Sequence, residues 1–131
     1  MKSKSVIVTG ASSGIGFAIA RGLAESGAEV IVNGRSVDSV NKGIQALQQV
    51  VPGVQVRAAI ADQSSQEGVD ELLRVATHVD ILVNNAGALK PKKIEDMSEA
   101  EWDRSLAVNL KSVFLCTQAA IRPMKRHGGT I

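Results

Sequence analysis

Three glycines near the start of the chain have the residue type and spacing of an anion-binding turn. Gly10, Gly14 and Gly16 fall within the stretch TGASSGIG. Glycine lets the backbone approach a ligand without an obstructing Cβ, and the free N–H groups at a helix start favour an anion such as a pyrophosphate. The spacing is G-x-x-x-G-x-G and no Gly-Lys-Ser/Thr follows, which disfavours a P-loop nucleotidase. A glycine-rich turn without a ligand is the alternative interpretation.

An anion can bind such a turn only if a strand precedes it and a helix follows it. Residues 5–9 form an uncharged, β-rich run, and apolar residues then recur every fourth position at Ile15, Ile19 and Leu23. The first run predicts a buried strand and the second predicts an amphipathic helix. Similar runs predict further strands at residues 29–33, 54–60 and 79–83.

Capping residues mark the ends of the helices. Gly27 is placed for a left-handed cap after the first helix, and Ser36 or Asp38 can cap the second. Pro123 limits how far the last helix can run. Two further helices begin at Ser-x-x-Glu capping boxes, which are Ser64-x-x-Glu67 and Ser98-x-x-Glu101.

Predicted strands and helices alternate as βαβαβαβα, without a linker, a repeat or a low-complexity tract. This order predicts an α/β fold, a doubly wound parallel sheet with helices on both faces and ligands beyond the carboxyl ends of the strands. The length of 131 residues predicts a single domain over residues 1–131. An aromatic share of only 2% predicts that its core is aliphatic.

Several motifs in one order resemble those of a known family. NNAG follows the fourth predicted strand, VNLKSVF lies in the long last helix, and GGTI comes last. Together with TGASSGIG they resemble the short-chain dehydrogenases/reductases, in their single-domain branch. The resemblance implies a Rossmann-type sheet with strand order 3-2-1-4. It also implies the N-terminal portion of such an enzyme, truncated after the fourth βα unit, with Thr130 and Ile131 starting a fifth strand.

The end of the second strand predicts which nicotinamide cofactor binds. A carboxylate there accepts hydrogen bonds from a ribose 2′-hydroxyl, but this chain has Gly34 followed by Arg35. A guanidinium can pair with a phosphate through two hydrogen bonds, and Ser36 and Ser13 could add hydroxyl contacts. We therefore expect NADP(H) to be preferred over NAD(H). An exposed loop arginine is the alternative, and many NADP(H)-binding relatives carry a basic residue in place of Ser13.

The resemblance also assigns roles around the rest of the cofactor. It implies that Asp62 meets the adenine amino group, with a plain loop or helix-start acid as the alternative. It places the segment that follows Asn84 along the adenosine ribose, and Asn84 itself is predicted to tie strand ends together. The predicted cofactor-binding residues are Gly10, Ser12, Ser13, Gly14, Ile15, Gly16, Arg35, Ser36, Asp62, Asn85, Ala86 and Gly87.

Hydride transfer to a carbonyl needs a proton donor near the developing alkoxide. The resemblance implies a tyrosine for this role, a lysine four residues later and a substrate-positioning serine, all after the fifth strand. The chain contains no tyrosine, and of the family's catalytic group only Asn109 can be matched. The resemblance implies a kink and an ordered water at Asn109, and a structural asparagine is the alternative. We expect the chain alone to be inactive.

Composition bounds the possible partners. The net charge of +2 gives no case for nucleic acid or an anionic membrane, and no His/Cys cluster has metal-ligand spacing, so no metal is expected. The N-terminus lacks a signal-peptide pattern and Cys116 is interpreted as a buried, inert thiol, so we expect a cytoplasmic location.

The helix after Ser98 is expected to mediate homo-oligomerisation. The rival to an oxidoreductase portion is a non-catalytic nucleotide-binding or interaction module.

Overall fold

Four parallel strands form one sheet in the computed structural model, which describes the whole chain from Met1 to Ile131. The spatial order is β3-β2-β1-β4, which confirms the predicted order 3-2-1-4. In the register, Ile7 of the first strand lies between Ile31 and Leu82 of its two neighbours. The strands are β1 Ser5–Val8, β2 Glu29–Gly34, β3 Val56–Ile60 and β4 Ile81–Val83.

Helices follow each strand and cover both faces of the sheet. Between the fourth strand and the last helices, the chain makes one 3₁₀ turn at Ile94–Asp96. The two last helices are continuous through a π-helical turn at Ala107–Lys111. None of the helices is both long and apolar enough to cross a membrane. The helices are α1 Gly14–Glu25, α2 Val37–Val50, α3 Gln66–Val75, α4 Glu99–Leu106 and α5 Ser112–Met124.

The sheet separates two aliphatic cores because alternate strand residues point to opposite faces. Val6 and Val8 belong to the core under α1 and α2, whereas Ile7 belongs to the core under α3 and α5. All three side chains are fully buried. Strands buried on both faces are typical of a parallel sheet covered by helices. The predicted α/β architecture is therefore confirmed.

Two details of the predicted helices are wrong. The buried residues of α1 are Gly16, Ala20 and Ala24, and Ile19 and Leu23 of the predicted stripe pack partly buried against the same core, but Ile15 is 75% exposed. Small residues occupy the side of α1 next to the sheet because they let the helix approach β1 closely. The cap of α3 is Ser65 instead of Ser64, because the Ser65 hydroxyl accepts the N–H of Gly68. The strands β3 and β4 are also shorter than predicted.

Other predicted ends match the structure. Ser36 caps α2, and its hydroxyl accepts the N–H of Ser39 at 3.3 Å. Ser98 and Glu101 form both arms of the capping box at α4. Gly27 has a φ of +87°, the left-handed conformation expected after α1. The last helix ends one residue after Pro123.

The amino ends of the strands are joined by a buried carboxylate. Asp80 accepts the N–H of Ser5 and the ammonium of Lys4, both at 2.8 Å, and lies 3.1 Å from a ring nitrogen of His78. Burial raises the pKa of Asp80, but these partners outweigh it and hold the pKa below its usual range. Beside it, the carbonyl of Thr130 accepts the N–H of Leu82 and the N–H of Thr130 donates to the carbonyl of Asp80, so that Thr130 pairs in parallel with Ile81.

Candidate functional site

A cavity of about 610 Å³ opens at the carboxyl ends of the strands. It is lined by the loop between β1 and α1, by the starts of α2 and of the loop after β3, and by the segment after β4. Parallel strands end at the same edge, so these distant segments converge there. Every predicted cofactor-binding residue except Gly14 lines the cavity, namely Gly10, Ser12, Ser13, Ile15, Gly16, Arg35, Ser36, Asp62, Asn85, Ala86 and Gly87.

The glycine-rich turn needs its glycines for three different reasons. Gly10 and Gly14 have φ values of +64° and +58°, which side-chain-bearing residues rarely adopt. A Cβ on Gly10 would also lie 3.0 Å from the Cα of Ala86. Gly16 has ordinary backbone angles, but a Cβ there would collide with the carbonyl of Gly10 and the amide of Asn85. The sequence therefore fixes a tight turn followed by a closely packed helix start.

Thr9 holds the turn against the segment after β4. Its buried hydroxyl accepts the N–H groups of Asn85 and Ala86, at 2.9 and 3.0 Å, and donates to the carbonyl of Val83. The side-chain amide of Asn85 donates back to the carbonyls of Thr9 and Gly10. Asn85 thus borders the cavity while its amide is occupied in joining the ends of β1 and β4.

Asn33 joins the other strand ends and was not predicted from the sequence. It is fully buried in β2, and its amide donates to the carbonyls of Ala59 and Ala61. Its side-chain oxygen accepts the N–H of Gly10 and the amide of Gln63. A polar residue at the end of an otherwise apolar strand was the available signal. The role expected of Asn84 belongs to Asn33 and Asn85.

Asn84 instead contacts a helix. Its amide donates to the hydroxyl of Thr117 in α5 at 3.2 Å. It therefore links the end of β4 to the helical layer, and the prediction that it ties strand ends together is wrong. The physical reason is that its neighbour Asn85 is the residue that faces β1, as its hydrogen bonds to Thr9 show.

Arg35 is the one cation that lines the cavity. It is exposed and takes part in none of the ion pairs of the chain. The adjacent hydroxyls of Ser36 and Ser39 hydrogen-bond each other at 2.8 Å at the start of α2. A free guanidinium beside a helix N-terminus makes this corner of the cavity attractive to an anion.

Asp62 supplies a carboxylate at the next corner, after β3. One of its oxygens accepts the N–H and the hydroxyl of Ser64, and the other accepts the guanidinium of Arg104 at 2.9 Å. Partial burial raises its pKa, but the hydrogen bonds from Ser64 and Arg104 outweigh burial and lower the pKa to about 2. The carboxylate is therefore ionised at neutral pH. Arg104 comes from α4, and no sequence pattern pointed to it.

Asn109 lies in the π-helical turn and outside the lining of the cavity. Its side-chain oxygen accepts the N–H of Ala88, and its amide donates to the carbonyls of Ala88 and Ser105. A Cβ on Gly87 would lie 3.0 Å from that oxygen. The π-turn is a local irregularity of this helix, and Asn109 fixes the chain segment beside the cavity.

Two further features bear on the chemistry of the chain, the single cysteine and the possibility of a metal site. Cys116 is buried in α5, and burial raises the pKa of its thiol to about 11, so it is held protonated at neutral pH. No group of three or more His, Cys, Asp or Glu side chains is arranged to hold a metal ion.

One face of α4, the π-turn and α5 is apolar and exposed. Leu106, Leu110, Val113, Phe114 and Ile121 each leave more than a third of their surface open. They line a shallow groove together with the aliphatic parts of neighbouring polar residues. We define them as the apolar face.

The strand order and the glycine turn at the carboxyl edge define a Rossmann-type dinucleotide fold. The sequence matches the family described as short chain dehydrogenase over residues 4–131, and the chain belongs to that family. It is 39% identical to a gluconate 5-dehydrogenase of Gluconobacter oxydans, over 93% of this chain and 48% of that protein.

Solved structures agree with this assignment. L-sorbose reductase of Gluconobacter frateurii, in complex with NADPH and L-sorbose, superposes with a TM-score of 0.89 at 31% identity, over 98% of this chain and 51% of that one. A 7α-hydroxysteroid dehydrogenase in complex with NADH superposes with a TM-score of 0.86 at 36% identity, over 99% and 53%. The chain thus spans about half the length of the relatives it matches.

Proposed function

We propose that this chain is the NADP(H)-binding, N-terminal part of a short-chain oxidoreductase that reduces carbonyls or oxidises alcohols by hydride transfer. The observation that carries the proposal is the unpaired guanidinium of Arg35 in the same cavity as the glycine turn. In this proposal residues 1–131 form one dinucleotide-binding domain. The pyrophosphate lies against the start of α1, where Ser12, Ser13 and Ile15 border the cavity.

Arg35 is the reason for preferring NADP(H). A 2′-phosphate is a dianion at neutral pH, and a guanidinium can meet it with two charge-assisted hydrogen bonds. Gly34 has no carboxylate that could accept hydrogen bonds from a free 2′-hydroxyl. Of the two solved structures named above, one holds NADPH and the other holds NADH, so the choice for this chain rests on its own residues. Ser36 and Ser13 are the proposed additional hydroxyl contacts.

The remaining assignments follow from the direction of the dinucleotide. If the 2′-phosphate lies at Arg35, the adenine ring lies toward the end of β3, where Asp62 faces the cavity. Asp62 is an acceptor there, and the exocyclic amino group is the donor of the adenine ring. The segment of Asn85, Ala86 and Gly87 then lies along the ribose, where a residue without a side chain allows close approach.

Binding without turnover is the second part of the proposal. The chain has no tyrosine, so the proton donor that the family places beside the substrate is absent from these residues. Asn109 is the residue of the family's catalytic group that this chain supplies. Assays of NADPH consumption with ketones, and of NADP⁺ reduction with alcohols, are expected to show no rate above background.

Cofactor titration tests the assignment. The purified chain is titrated with NADPH and with NADH, followed by the fluorescence of the dihydronicotinamide. We expect NADPH to bind at least about tenfold more tightly, the equivalent of one charge-assisted contact. The Arg35→Asp variant should lose this preference or reverse it. The matched control is Arg126→Asp, since Arg126 is exposed and outside the cavity, and its preference should equal that of the unmodified chain.

Two results would contradict the proposal. No binding of either cofactor at millimolar concentration would remove dinucleotide binding altogether. Unchanged NADPH affinity in Arg35→Asp would remove the role of Arg35 and with it the preference for NADP(H).

Self-association through the apolar face completes the proposal. Exposed Phe114 and Leu110 at the centre of this face would be buried if two copies packed their α4 and α5 helices together. Sedimentation velocity of the unmodified chain and of Phe114→Glu measures this directly. The cytoplasm is the proposed location, where the reduced thiol of Cys116 is maintained.

A further inference from the structure

Arg104 connects a surface helix to the corner of the cavity that Asp62 occupies. One guanidinium nitrogen donates to the carboxylate of Asp62, and another donates to the hydroxyl of Ser64, both at 2.9 Å. The Ser64 hydroxyl in turn donates to Asp62 at 2.6 Å. The three side chains form a closed ring of hydrogen bonds.

This ring is the hydrogen-bonded link from α4 to the loop after β3. No side chain of α4 is buried. The other polar contacts of this helix are local: Glu101 binds Ser98 and Lys92, and Ser105 binds Asn109. Because α4 buries none of its own side chains, its direct contact with the loop after β3 is made by the Arg104 fork.

The ring also decides what Asp62 can still accept. An ionised carboxylate has about four lone-pair positions. One oxygen of Asp62 accepts two hydrogen bonds from Ser64, and the other accepts one from Arg104. A single position remains on the oxygen that Arg104 holds, on a carboxylate that is 40% exposed and lines the cavity.

We infer that Arg104 is a positioning residue that turns Asp62 so that its one free lone pair reads the amino group of a 6-aminopurine. The inference rests on the proposed dinucleotide function. Without the fork, the carboxylate can rotate about its side-chain bonds and is no longer held in one orientation. An adenine base offers an N–H at its 6-position, whereas a hypoxanthine base offers an oxygen, which an ionised carboxylate repels.

The experiment measures base selectivity, which a merely stabilising residue would leave unchanged. The purified chain is titrated with NADPH and with reduced nicotinamide hypoxanthine dinucleotide phosphate, and the ratio of the two dissociation constants is taken. We expect about a tenfold preference for the adenine form. In Arg104→Met the preference should fall to about twofold or less. Arg104→Lys should lose it as well, since an ammonium is a point charge and does not reproduce the fork.

The matched control is Arg122→Met, an exposed arginine on α5 that does not line the cavity. It should keep the full preference. Circular dichroism of each variant establishes that it is folded, and Arg104→Lys provides a second variant of nearly the same length. Retention of the tenfold preference in folded Arg104→Met would overturn the inference.

The other outcomes separate the inference from the proposed function. If the unmodified chain binds both dinucleotides equally, Asp62 does not read the base and the inference fails, while dinucleotide binding stands. If the unmodified chain binds neither dinucleotide, the proposed function fails and the inference fails with it.

Discussion

The two ends of the cavity are built in different ways. The glycine end consists of Thr9, the turn 10–16 and the segment 84–87, and its shape depends on backbone fixed by buried hydrogen bonds. Thr9 is 2% exposed and its hydroxyl serves three backbone groups. The Asp62 end consists of Arg35, Ser36, Asp62, Ser64 and Arg104, and its shape depends on charged side chains in contact with solvent.

Solvent contact changes what each hydrogen bond is worth. A buried donor that loses its partner costs the full desolvation of that group, whereas an exposed ion pair contributes little to stability. Asp62 and Arg104 are 40% and 50% exposed. We therefore expect changes at the glycine end to destabilise the fold, and changes at the Asp62 end to alter recognition with little effect on the free energy of unfolding.

The largest effect should come from Thr9→Val. Valine has the same shape but leaves the N–H groups of Asn85 and Ala86 without an acceptor. The free energy of unfolding should fall by about 3 kcal/mol, from two unsatisfied donors at about 1–3 kcal/mol each. Urea denaturation at neutral pH measures the change.

Thr117→Val is the matched control for that variant. The hydroxyl of Thr117 is partly buried and accepts one hydrogen bond from Asn84 at 3.2 Å. Its loss should cost about 1 kcal/mol or less. Equal losses in the two variants would show that the buried network at the glycine end carries no special weight.

A smaller effect is expected from adding one methyl group to α1. Gly16→Ala places a Cβ against the carbonyl of Gly10 and the amide of Asn85. Overpacking of this kind costs about 1–3 kcal/mol, and it should weaken NADPH binding because the turn must shift. Gly22→Ala in the same helix is the control variant, because a Cβ there meets nothing within 4 Å.

Gly22→Ala should stabilise the chain by up to about 1 kcal/mol, the ordinary gain in helix propensity. Thermal denaturation of Gly16→Ala and Gly22→Ala measures the difference in stability between the two variants. A Gly16→Ala protein as stable as Gly22→Ala, with unchanged NADPH affinity, would mean that close packing of α1 is not what the glycine is for.

The difference between the two ends also explains what the sequence could predict. The glycine end is encoded locally, since Gly10, Gly14 and Gly16 lie within one strand–turn–helix unit. The sheet order follows from the alternation of apolar strands and amphipathic helices, and it is confirmed. Local capping chemistry was predictable for the same reason, as at Ser98 and Glu101.

Contacts between distant segments were not predictable in this way. Arg104 is 42 residues from Asp62 in the sequence and lies on a helix with no buried face. Its partner is decided by where the fold brings α4, and no residue pattern records that. The exposure of Ile15 has a related reason, because the closest packing position beside β1 is taken by the small residues Gly16 and Ala20.

The smallest effect should come from breaking the Asp62–Arg104 pair. In a double-mutant cycle of Asp62→Asn and Arg104→Met, the coupling free energy should be below about 1 kcal/mol, since both groups are solvent-exposed. Folding lowers the pKa of Asp62 from 3.8 to about 2. The contribution is therefore fully present above the unfolded value of 3.8 and is lost as the pH falls through about 2.

Urea denaturation of the unmodified chain, the two single variants and the double variant, at neutral pH and near pH 3, measures the coupling free energy and its pH dependence. Asp103→Asn is the control, since Asp103 is exposed on α4 and takes part in none of the ion pairs. The difference in stability between Asp62→Asn and the unmodified chain should shrink at the lower pH, because near pH 3 Asp62 takes up a proton in the unfolded chain and stays largely ionised in the folded one. A coupling as large as the loss in Thr9→Val would contradict the contrast between the two ends. A small coupling free energy together with lost base selectivity in Arg104→Met would mean that substitutions at the Asp62 end can change ligand selectivity without lowering the stability of the fold.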